Sequence, residues 1–351
     1  MAEVETLILG IDLGTDRSSV IANSGYQNSI SSIIGYPKDI VSLKHLGRQQ
    51  VFGDDAITYH TCCETYHPLD DGVISTTNFH DYNAVYELLR HLIAEASAGF
   101  KGEVCAVIGV PARASLVNQD ILTRLADDLL QTVLIVSEPF MVAYELEKLS
   151  NAIIVDIGAG TVDICAMKGT VPHAEDQVSL TKAGHYIDRQ LALLVQEKYP
   201  EVQVTPSLMK KIKDTYSFVS EYGEEAFVTM RDDGRPVTLD LSEEIRLACE
   251  LIIPDLLEHL TTLVRKFDPE VQHEVLENIF ISGGGSAIRG IDEVIAWHLV
   301  EYGDVDVQCI DPDGFTGARG ALKLAMDLPT DVWHQVGFIK NGASLGEILK
   351  N

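Results

Sequence analysis

Leu7-Ile8-Leu9-Gly10-Ile11-Asp12-Leu13-Gly14-Thr15 and Ile153-Ile154-Val155-Asp156-Ile157-Gly158-Ala159-Gly160-Thr161-Val162-Asp163 are the two stretches that decide the fold. Each begins as an aliphatic run suited to a buried strand and breaks into aspartate, glycine and a hydroxyl residue. Glycines at such a break let backbone N–H groups approach an anion closely. A carboxylate beside them repels phosphate, unless a hard divalent cation that prefers oxygen ligands and keeps its waters stands between. The repetition predicts two hairpins that face each other and clamp the phosphate tail of one nucleotide.

Working outward, further strand-like runs occur at Val104–Val110, Val133–Val136 and Ile279–Ile281. Helical periodicity lies between some of them. Val85, Leu88, Leu89, Leu92 and Ile93 form one stripe, and Val117, Ile121, Leu125 and Leu129 form another at four-residue spacing. A longer helical stretch from Leu241 to Val264 contains Pro254, which is expected to kink or split it. Alternating strands and helices predict α/β layers with mixed sheets. No low-complexity linker divides the chain, so structured chain crosses any domain boundary.

The 351 residues suit two domains or one bilobed unit, and 46% hydrophobic with 23% charged residues is ordinary globular composition. The formal net charge of −27 is not ordinary. It argues against nucleic acid and anionic membrane as direct partners, because both select basic faces. Self-association of so acidic a chain needs screening by salt or divalent cations. The six cysteines form no metal or disulfide framework: Cys62-Cys63 are adjacent, and Cys105, Cys165, Cys249 and Cys309 lie in apolar runs, as in a reducing compartment. The start, Met1-Ala2-Glu3-Val4-Glu5-Thr6, lacks a signal-peptide pattern, and no run approaches the ~18 apolar residues of a membrane span. A cytoplasmic location is expected.

Three more segments carry chemistry. Val136-Ser137-Glu138-Pro139-Phe140 passes from an apolar run into the helical Met141–Leu149. A carboxylate at that junction can orient a water for attack on phosphate, or simply open a helix where the dipole favours acid. Ile279-Phe280-Ile281-Ser282-Gly283-Gly284-Gly285-Ser286 is a strand running into three glycines, suited to backbone contact with a nucleoside or its α-phosphate at a helix N-terminus, or to an ordinary turn. Thr316-Gly317-Ala318-Arg319-Gly320-Ala321 places small residues where a helix packs closely. There is no G-x-x-x-x-G-K-[ST], and Gly283–Gly285 lacks the last glycine of a dinucleotide fingerprint. His273-Glu274-Val275-Leu276-Glu277 ends on Glu where a zinc-protease helix needs His, and His173 and His185 stand alone.

Taken in order, the five segments resemble the actin, Hsp70 and sugar-kinase superfamily. Gly10–Thr15 resembles its first phosphate loop, Val136–Pro139 its first connector and Asp156–Asp163 its second phosphate loop. Ser282–Ser286 resembles the adenosine motif and Gly317–Ala321 the second connector. Chain length and Ala183-Gly184-His185-Tyr186-Ile187-Asp188 are similar to bacterial actins of the MreB type. Gly35-Tyr36-Pro37-Lys38-Asp39, the segment Ala106-Val107-Ile108-Gly109-Val110-Pro111-Ala112-Arg113-Ala114-Ser115, Gly158–Val171 and Glu175-Asp176-Gln177-Val178 resemble the actin-like filament proteins of magnetosome chains in magnetotactic bacteria.

The resemblance implies an actin-like, ribonuclease H-like duplicated α/β fold of two lobes with nucleotide in the central cleft. It implies subdomain IA at 1–32, 75–139 and 315–351, IB at 33–74, IIA at 140–182 and 255–314, and IIB at 183–254. It implies ATP or ADP with Mg²⁺ as ligands. Asp12 would approach Mg²⁺ through waters, while the amides of Leu13, Gly14 and Thr15 hold the β-phosphate. Asp156 would orient the metal's waters or the attacking water, and Gly158, Ala159, Gly160 and Thr161 would grip the γ-phosphate. Glu138 would position the nucleophilic water. Gly184, Gly283, Gly284 and Gly285 would line the nucleoside, with Asp188 and Lys213 close by. One departure is visible: MreB-type actins carry a ribose-binding acid three residues before the lysine matching Lys213, and here that position is Lys210.

The expected function is a cytoskeletal ATPase that polymerises with ATP, turns over on hydrolysis and organises magnetosomes, with itself and magnetosome-surface proteins as partners and no direct membrane insertion. The alternatives are an MreB-like cell-shape scaffold and a monomeric sugar kinase on the same fold. For the latter the chain shows no clear acceptor-site aspartate. Leu328–Asn351, with Trp333, Phe338 and Ile348, is apolar enough to pack or to join a subunit contact.

Overall fold

A computed structural model describes residues 6–74, 79–112, 116–223, 225–310 and 312–329. Trp333, Phe338 and Ile348, the segment Arg113-Ala114-Ser115 and the far end of the expected subdomain IA lie outside these residues. The chain forms two compact units. The first takes the chain up to Leu149, Thr170–Ala174 and the chain from Asp313 on; the second takes Ser150–Gly169 and Glu175–Pro312.

Each unit is built on a five-stranded sheet, and the two sheets have one topology. In the first unit β1 (Thr6–Leu13), β2 (Arg17–Ala22) and β3 (Gln27–Ser31) form an antiparallel meander. The strand β4 (Glu103–Val110) adds parallel to the other edge of β1, and β5 (Thr132–Ser137) adds parallel to β4. In the second unit β6 (Ser150–Ile157), β7 (Val162–Lys168) and β8 (Gln177–Leu180) repeat the meander. There β9 (Ile279–Ser282) and β10 (Val307–Cys309) repeat the parallel additions. The duplication read from two loops is thus a duplication of whole sheets, and every strand-like run expected from sequence is a strand.

Period-two alternation explains where the two aspartates point. Leu7, Leu9, Ile11 and Leu13 share a core with Leu88, Leu89 and Leu92 of α1 (Phe79–Ala96). Ile8, Gly10 and Asp12 therefore face the other side of the sheet. In the second unit Ile153, Val155 and Ile157 enter the core with Leu256, Leu260 and Leu263, which leaves Asp156 on the opposite face. In both strands the residue after the aspartate is buried, so the carboxylate is held at the strand end by its neighbour's burial.

One helical expectation needs correction, and another is borne out. In α2 (Leu116–Asp127) the buried positions are Leu122, Leu125 and Ala126, followed by Leu130 beyond the helix end; Ile121 and Leu129 are partly buried. A strict four-residue spacing drifts around a helix of 3.6 residues per turn, so the stripe alternates three and four. The side chain of Val117 lies outside the described residues. The stretch Leu241–Val264 is split, as Pro254 leads one to expect. After α3 (Glu138–Leu146), α4 (Gly184–Lys198) and α5 (Pro206–Tyr216), the helix α6 (Ser242–Glu250) ends and α7 (Ile253–Val264) starts afresh. Pro254 occupies the first turn of α7, where its missing N–H has no intrahelical acceptor to lose. The last helices are α8 (Ile291–Leu299) in the second unit and α9 (Thr316–Asp327) in the first.

Candidate functional site

In the first unit, Leu13 and Arg17 end the two strands of a hairpin whose turn is Gly14-Thr15-Asp16. Gly14 sits so close to the returning strand that a Cβ would lie 2.5 Å from the Arg17 carbonyl oxygen. Two buried hydroxyls brace the turn. Ser32 Oγ donates to Gly14 O at 2.7 Å, and Ser18 Oγ and Ser32 Oγ are 2.8 Å apart. Thr15 Oγ1 accepts the Gly72 N–H at 3.1 Å, so that hydroxyl anchors the turn to a second hairpin.

Asp12, half-buried, lies at this strand end with Gly109 as its parallel neighbour on β4. Gly109 has no side chain because the space is taken. A Cβ there would meet Met141 Cε at 1.9 Å and Glu138 Cγ at 3.4 Å. Glu138 is buried at the first turn of α3, with Pro139 in that same turn. Glu138 opens a helix, and the helix start brings its side chain up to Gly109, the strand neighbour of Asp12. On the other side of Asp12, Gly317 of α9 packs so tightly that a Cβ would sit 2.3 Å from Asp12 Oδ2. The small residues of Thr316–Ala321 serve close packing throughout. Gly320 abuts the Met141 carbonyl, and Ala318 O and Leu322 N fill the space over Gly10.

In the second unit the turn Gly158-Ala159-Gly160-Thr161 is closed by a hydrogen bond from Gly158 N to Thr161 O at 2.9 Å. Gly184 N and His185 N donate to Gly158 O and Ala159 O at 3.1 and 2.7 Å, which ties the turn to the start of α4. Those two amides are therefore engaged within the protein. Gly184 is required by closeness: a Cβ would stand 3.1 Å from Ala159 Cα and 3.2 Å from both Gly158 O and Lys213 Nζ. Lys213 Nζ donates to Gly184 O at 3.2 Å and pairs with Asp188 Oδ1 at 2.9 Å. Both side chains are nearly buried, and desolvation pushes the Asp188 carboxyl up despite the Lys213 ammonium that holds it down. Lys210, at the position of the departure from MreB-type actins, bonds Asp214 at 2.7 Å on the exposed side of α5.

Asp156 accepts a 2.7 Å hydrogen bond from Ser282 Oγ on the adjacent strand β9. Part of the residue reaches solvent, but its carboxyl group is packed deeply enough for desolvation to push its pKa up, with the Ser282 bond drawing it back. The three glycines that follow differ in task. Gly283 adopts φ 75° and leaves no room for a Cβ, which would lie 2.7 Å from Asp156 Oδ1; at Gly285 it would lie 2.2 Å from Ile157 Cγ2. Gly284 alone of the three faces open space. The segment continues as the short 3-10 turn Gly284–Ala287 rather than the expected α-helix start, because Ser286 Oγ folds back onto Gly283 O at 2.8 Å and Ile310 O at 2.7 Å.

Each unit thus presents a turn with glycine, a hydroxyl and one carboxylate at a strand end, backed by close packing that fixes the carboxylate. The first unit sets Glu138 against Gly109, the strand neighbour of Asp12; the second joins Asp156 with Ser282 and, around Gly184, Asp188 with Lys213. Sequence reading missed Ser18, Ser32, Gly109 and Met141, and the hydrogen bond by which Ser282 acts on Asp156. Gly109 is the one of these with a visible signal, a glycine inside an otherwise aliphatic strand. Among the described residues no group of three or more His, Cys, Asp or Glu forms a metal cage, and no helix is long and apolar enough to cross a membrane.

Comparison with known proteins places this geometry. A family model described as MreB/Mbl protein matches residues 6–324. The actin-like protein MamK of Magnetospirillum gryphiswaldense is 46% identical over 331 residues, 94% of this chain and 92% of that protein. A MamK-like protein of Paramagnetospirillum magneticum is 37% identical over 94% of this chain and 97% of its own length. Among solved structures, a MamK double-helical filament matches with a TM-score of 0.90 at 46% identity, covering 93% of this chain and 100% of that one. A non-polymerising MamK mutant bound to AMPPNP matches with a TM-score of 0.73 at 46% identity, covering 92% of this chain and 100% of that one. An MreB of Spiroplasma citri bound to ADP has the same fold at 19% identity, with a TM-score of 0.76 over 96% of this chain and 99% of its own. The chain belongs to the MreB/Mbl family of actin-like proteins and, within it, to the MamK group.

Proposed function

We propose that this protein is a filament-forming cytoskeletal ATPase that polymerises with ATP, turns over on hydrolysis and organises magnetosomes in a magnetotactic bacterium. The observation that carries the reading is the twofold strand-end turn, each with glycines that bring backbone close and one carboxylate fixed in place. Similarity to MamK over most of the chain supports the filament and the organelle; the MamK proteins with solved structures include a double-helical filament and an AMPPNP complex. Magnetosome-surface proteins would be its partners, in the cytoplasm, without direct membrane insertion. The four-subdomain division 1–32, 75–139 and 315–351; 33–74; 140–182 and 255–314; and 183–254 belongs to the same proposal.

In this reading the amides of Leu13, Gly14 and Thr15 hold the β-phosphate and those of Gly158–Thr161 the γ-phosphate. Oxygen donors standing singly suit Mg²⁺, which keeps most of its waters and takes its other ligands from phosphate, so Asp12 and Asp156 would act on it through water. The metal would neutralise charge that develops on the transferred phosphoryl group. Glu138, buried at its helix start, would position the attacking water, and hydrolysis would proceed by in-line attack with no covalent enzyme intermediate. Gly284, open to solvent, offers backbone to the nucleoside, with Gly283, Gly285 and Gly184 shaping the wall and Lys213–Asp188 behind it.

High-speed pelleting with and without Mg-ATP, with phosphate release on the same sample and negative-stain images of the pellet, tests the proposal. Nucleotide-dependent filaments with phosphate release are expected. Glu138→Gln should pellet with ATP while hydrolysis falls about 100-fold or more. ATP turnover that never yields a sedimentable polymer, across salt and divalent conditions, would reject the filament reading.

A further inference from the structure

The helix α8 buries Ile291, Ile295 and Leu299, four residues apart, against the core of the second unit. Its outer face is not the polar surface this pattern leads one to expect. Trp297 is 73% exposed and Val300, just past the helix end, is 65% exposed. Indole this open is uncommon on a folded protein, and tryptophan is the residue type most enriched at the energetic centres of interfaces. Glu293 stands one helical turn before Trp297 on α8, about 6 Å along the axis at ~1.5 Å per residue, and Glu301 follows four residues after Trp297 in the short 3-10 turn Val300–Tyr302. Both glutamates are exposed. Tyr222, itself 44% exposed, packs its ring against Gly290 just before α8, which extends the aromatic surface.

We propose that this face, Trp297 and Val300 flanked by Glu293 and Glu301, is a docking site for a basic segment of a partner protein that sets an arginine or lysine side chain on the indole. Charge complementarity selects the occupant. A cation over the ring face of tryptophan gains from the ring quadrupole, and two carboxylates at its sides add to that attraction. The same arrangement exists nearby, already filled from within the chain: the Arg265 guanidinium lies 5.6 Å from the Tyr302 ring centroid and bonds its hydroxyl at 3.0 Å. At Trp297 the neighbour inside the chain is the ring of His298, edge-on at 4.8 Å and 86°. A second copy meeting this face with the same face would set glutamate against glutamate on a chain of net charge −27, and an anionic lipid surface meets the same repulsion.

The chain has two tryptophans, so Trp333→Phe leaves Trp297 as the sole indole reporter. Titration with an amphipathic Arg–Leu peptide should give saturable quenching, and the Glu–Leu counterpart should give none. Calorimetry on the unaltered chain should return the same affinity. Glu293→Gln with Glu301→Gln should weaken the Arg–Leu peptide about tenfold or more. The matched pair Glu197→Gln with Glu201→Gln, which removes the same charge from the exposed end of α4 and the turn after it, should leave it unchanged. Equal weakening by both pairs would mean attraction to net charge alone and would overturn the proposal. So would loss of sedimentable polymer in Trp297→Ala, which would assign the face to a second copy, or Trp297 quenching by phosphatidylglycerol vesicles. Polymer assembly unchanged by Trp297→Ala, with peptide binding lost, supports the site independently of the filament reading.

Discussion

Ser282 Oγ donates a 2.7 Å hydrogen bond to Asp156 Oδ1, and it does so from the strand position directly beside the aspartate. The bond favours the ionised carboxylate against burial, which pushes the Asp156 pKa up. A carboxyl group raised in the folded state binds a proton there before the unfolded chain does. Its ionisation therefore costs stability above the folded pKa, and the cost is relieved as pH falls through that value. Ser282→Ala removes the compensation. The variant should lose about 1–3 kcal/mol at neutral pH, and the gap to the unaltered protein should narrow as acid protonates Asp156 in both. Urea midpoints at neutral and mildly acidic pH measure this; a gap constant in pH would assign the hydroxyl to packing alone.

Gly320 faces the Met141 carbonyl oxygen so closely that a Cβ would stand 1.8 Å from it. Glycine to alanine within a helix ordinarily gains up to about 1 kcal/mol. Here the gain is overridden, because α3 and α9 must separate to admit the methyl group. Gly320→Ala should destabilise by about 1–3 kcal/mol or more, read as a lower denaturation midpoint. Gly284→Ala, in open space, should leave the midpoint nearly unchanged and serves as the internal control.

The added methyl of Gly317→Ala would lie 2.3 Å from Asp12 Oδ2. The carboxylate is the end of a side chain with rotatable bonds, so it can turn away where the Met141 backbone cannot. Gly317→Ala should therefore keep most of its stability and lose Mg-ATP affinity about tenfold or more. Calorimetric titration with a non-hydrolysable ATP analogue and Mg²⁺, alongside thermal melts, separates the two effects. A variant that melts far below the unaltered protein would show that Gly317 serves packing only.

The strands β1, β4, β5, β6 and β9 were legible in the sequence because their burial is written in aliphatic runs. The short strand Val307–Cys309 was not: it has three residues, two of them exposed. The loops around Asp12 and Asp156 were legible because glycine is dictated locally. What braces them was not, since each brace joins residues remote in sequence. Thr15 meets Gly72 across 57 positions, and Asp156 meets Ser282 across 126. Gly109 and Gly317 stand out in the sequence as small residues, but that Met141 and Asp12 are what pack against them emerges only from the fold. Spacing along a chain encodes strand and helix faces; it does not encode which faces meet.

Lys213 and Asp188 show how a structural pair and a binding wall are separated by experiment. The side chains are 12% and 10% exposed, their charged atoms are 2.9 Å apart, and Lys213 also holds the Gly184 carbonyl. Burial already pushes the Asp188 carboxyl up, and the Lys213 ammonium opposes that rise. Lys213→Met removes the opposition and leaves a buried carboxylate unpaired, so it should cost about 3–5 kcal/mol at neutral pH. The raised Asp188 pKa means the loss shrinks as pH falls and the carboxyl takes up a proton. Adding Asp188→Asn removes the unpaired charge, and the double variant should recover much of the stability at neutral pH. It should not recover nucleotide affinity, because the tether from Lys213 to Gly184, and through Gly184 to the Gly158–Thr161 turn, is still cut. Denaturation midpoints across pH and analogue titration on the single and double variants read the two effects apart. Full recovery of both would confine Lys213 to neutralising Asp188.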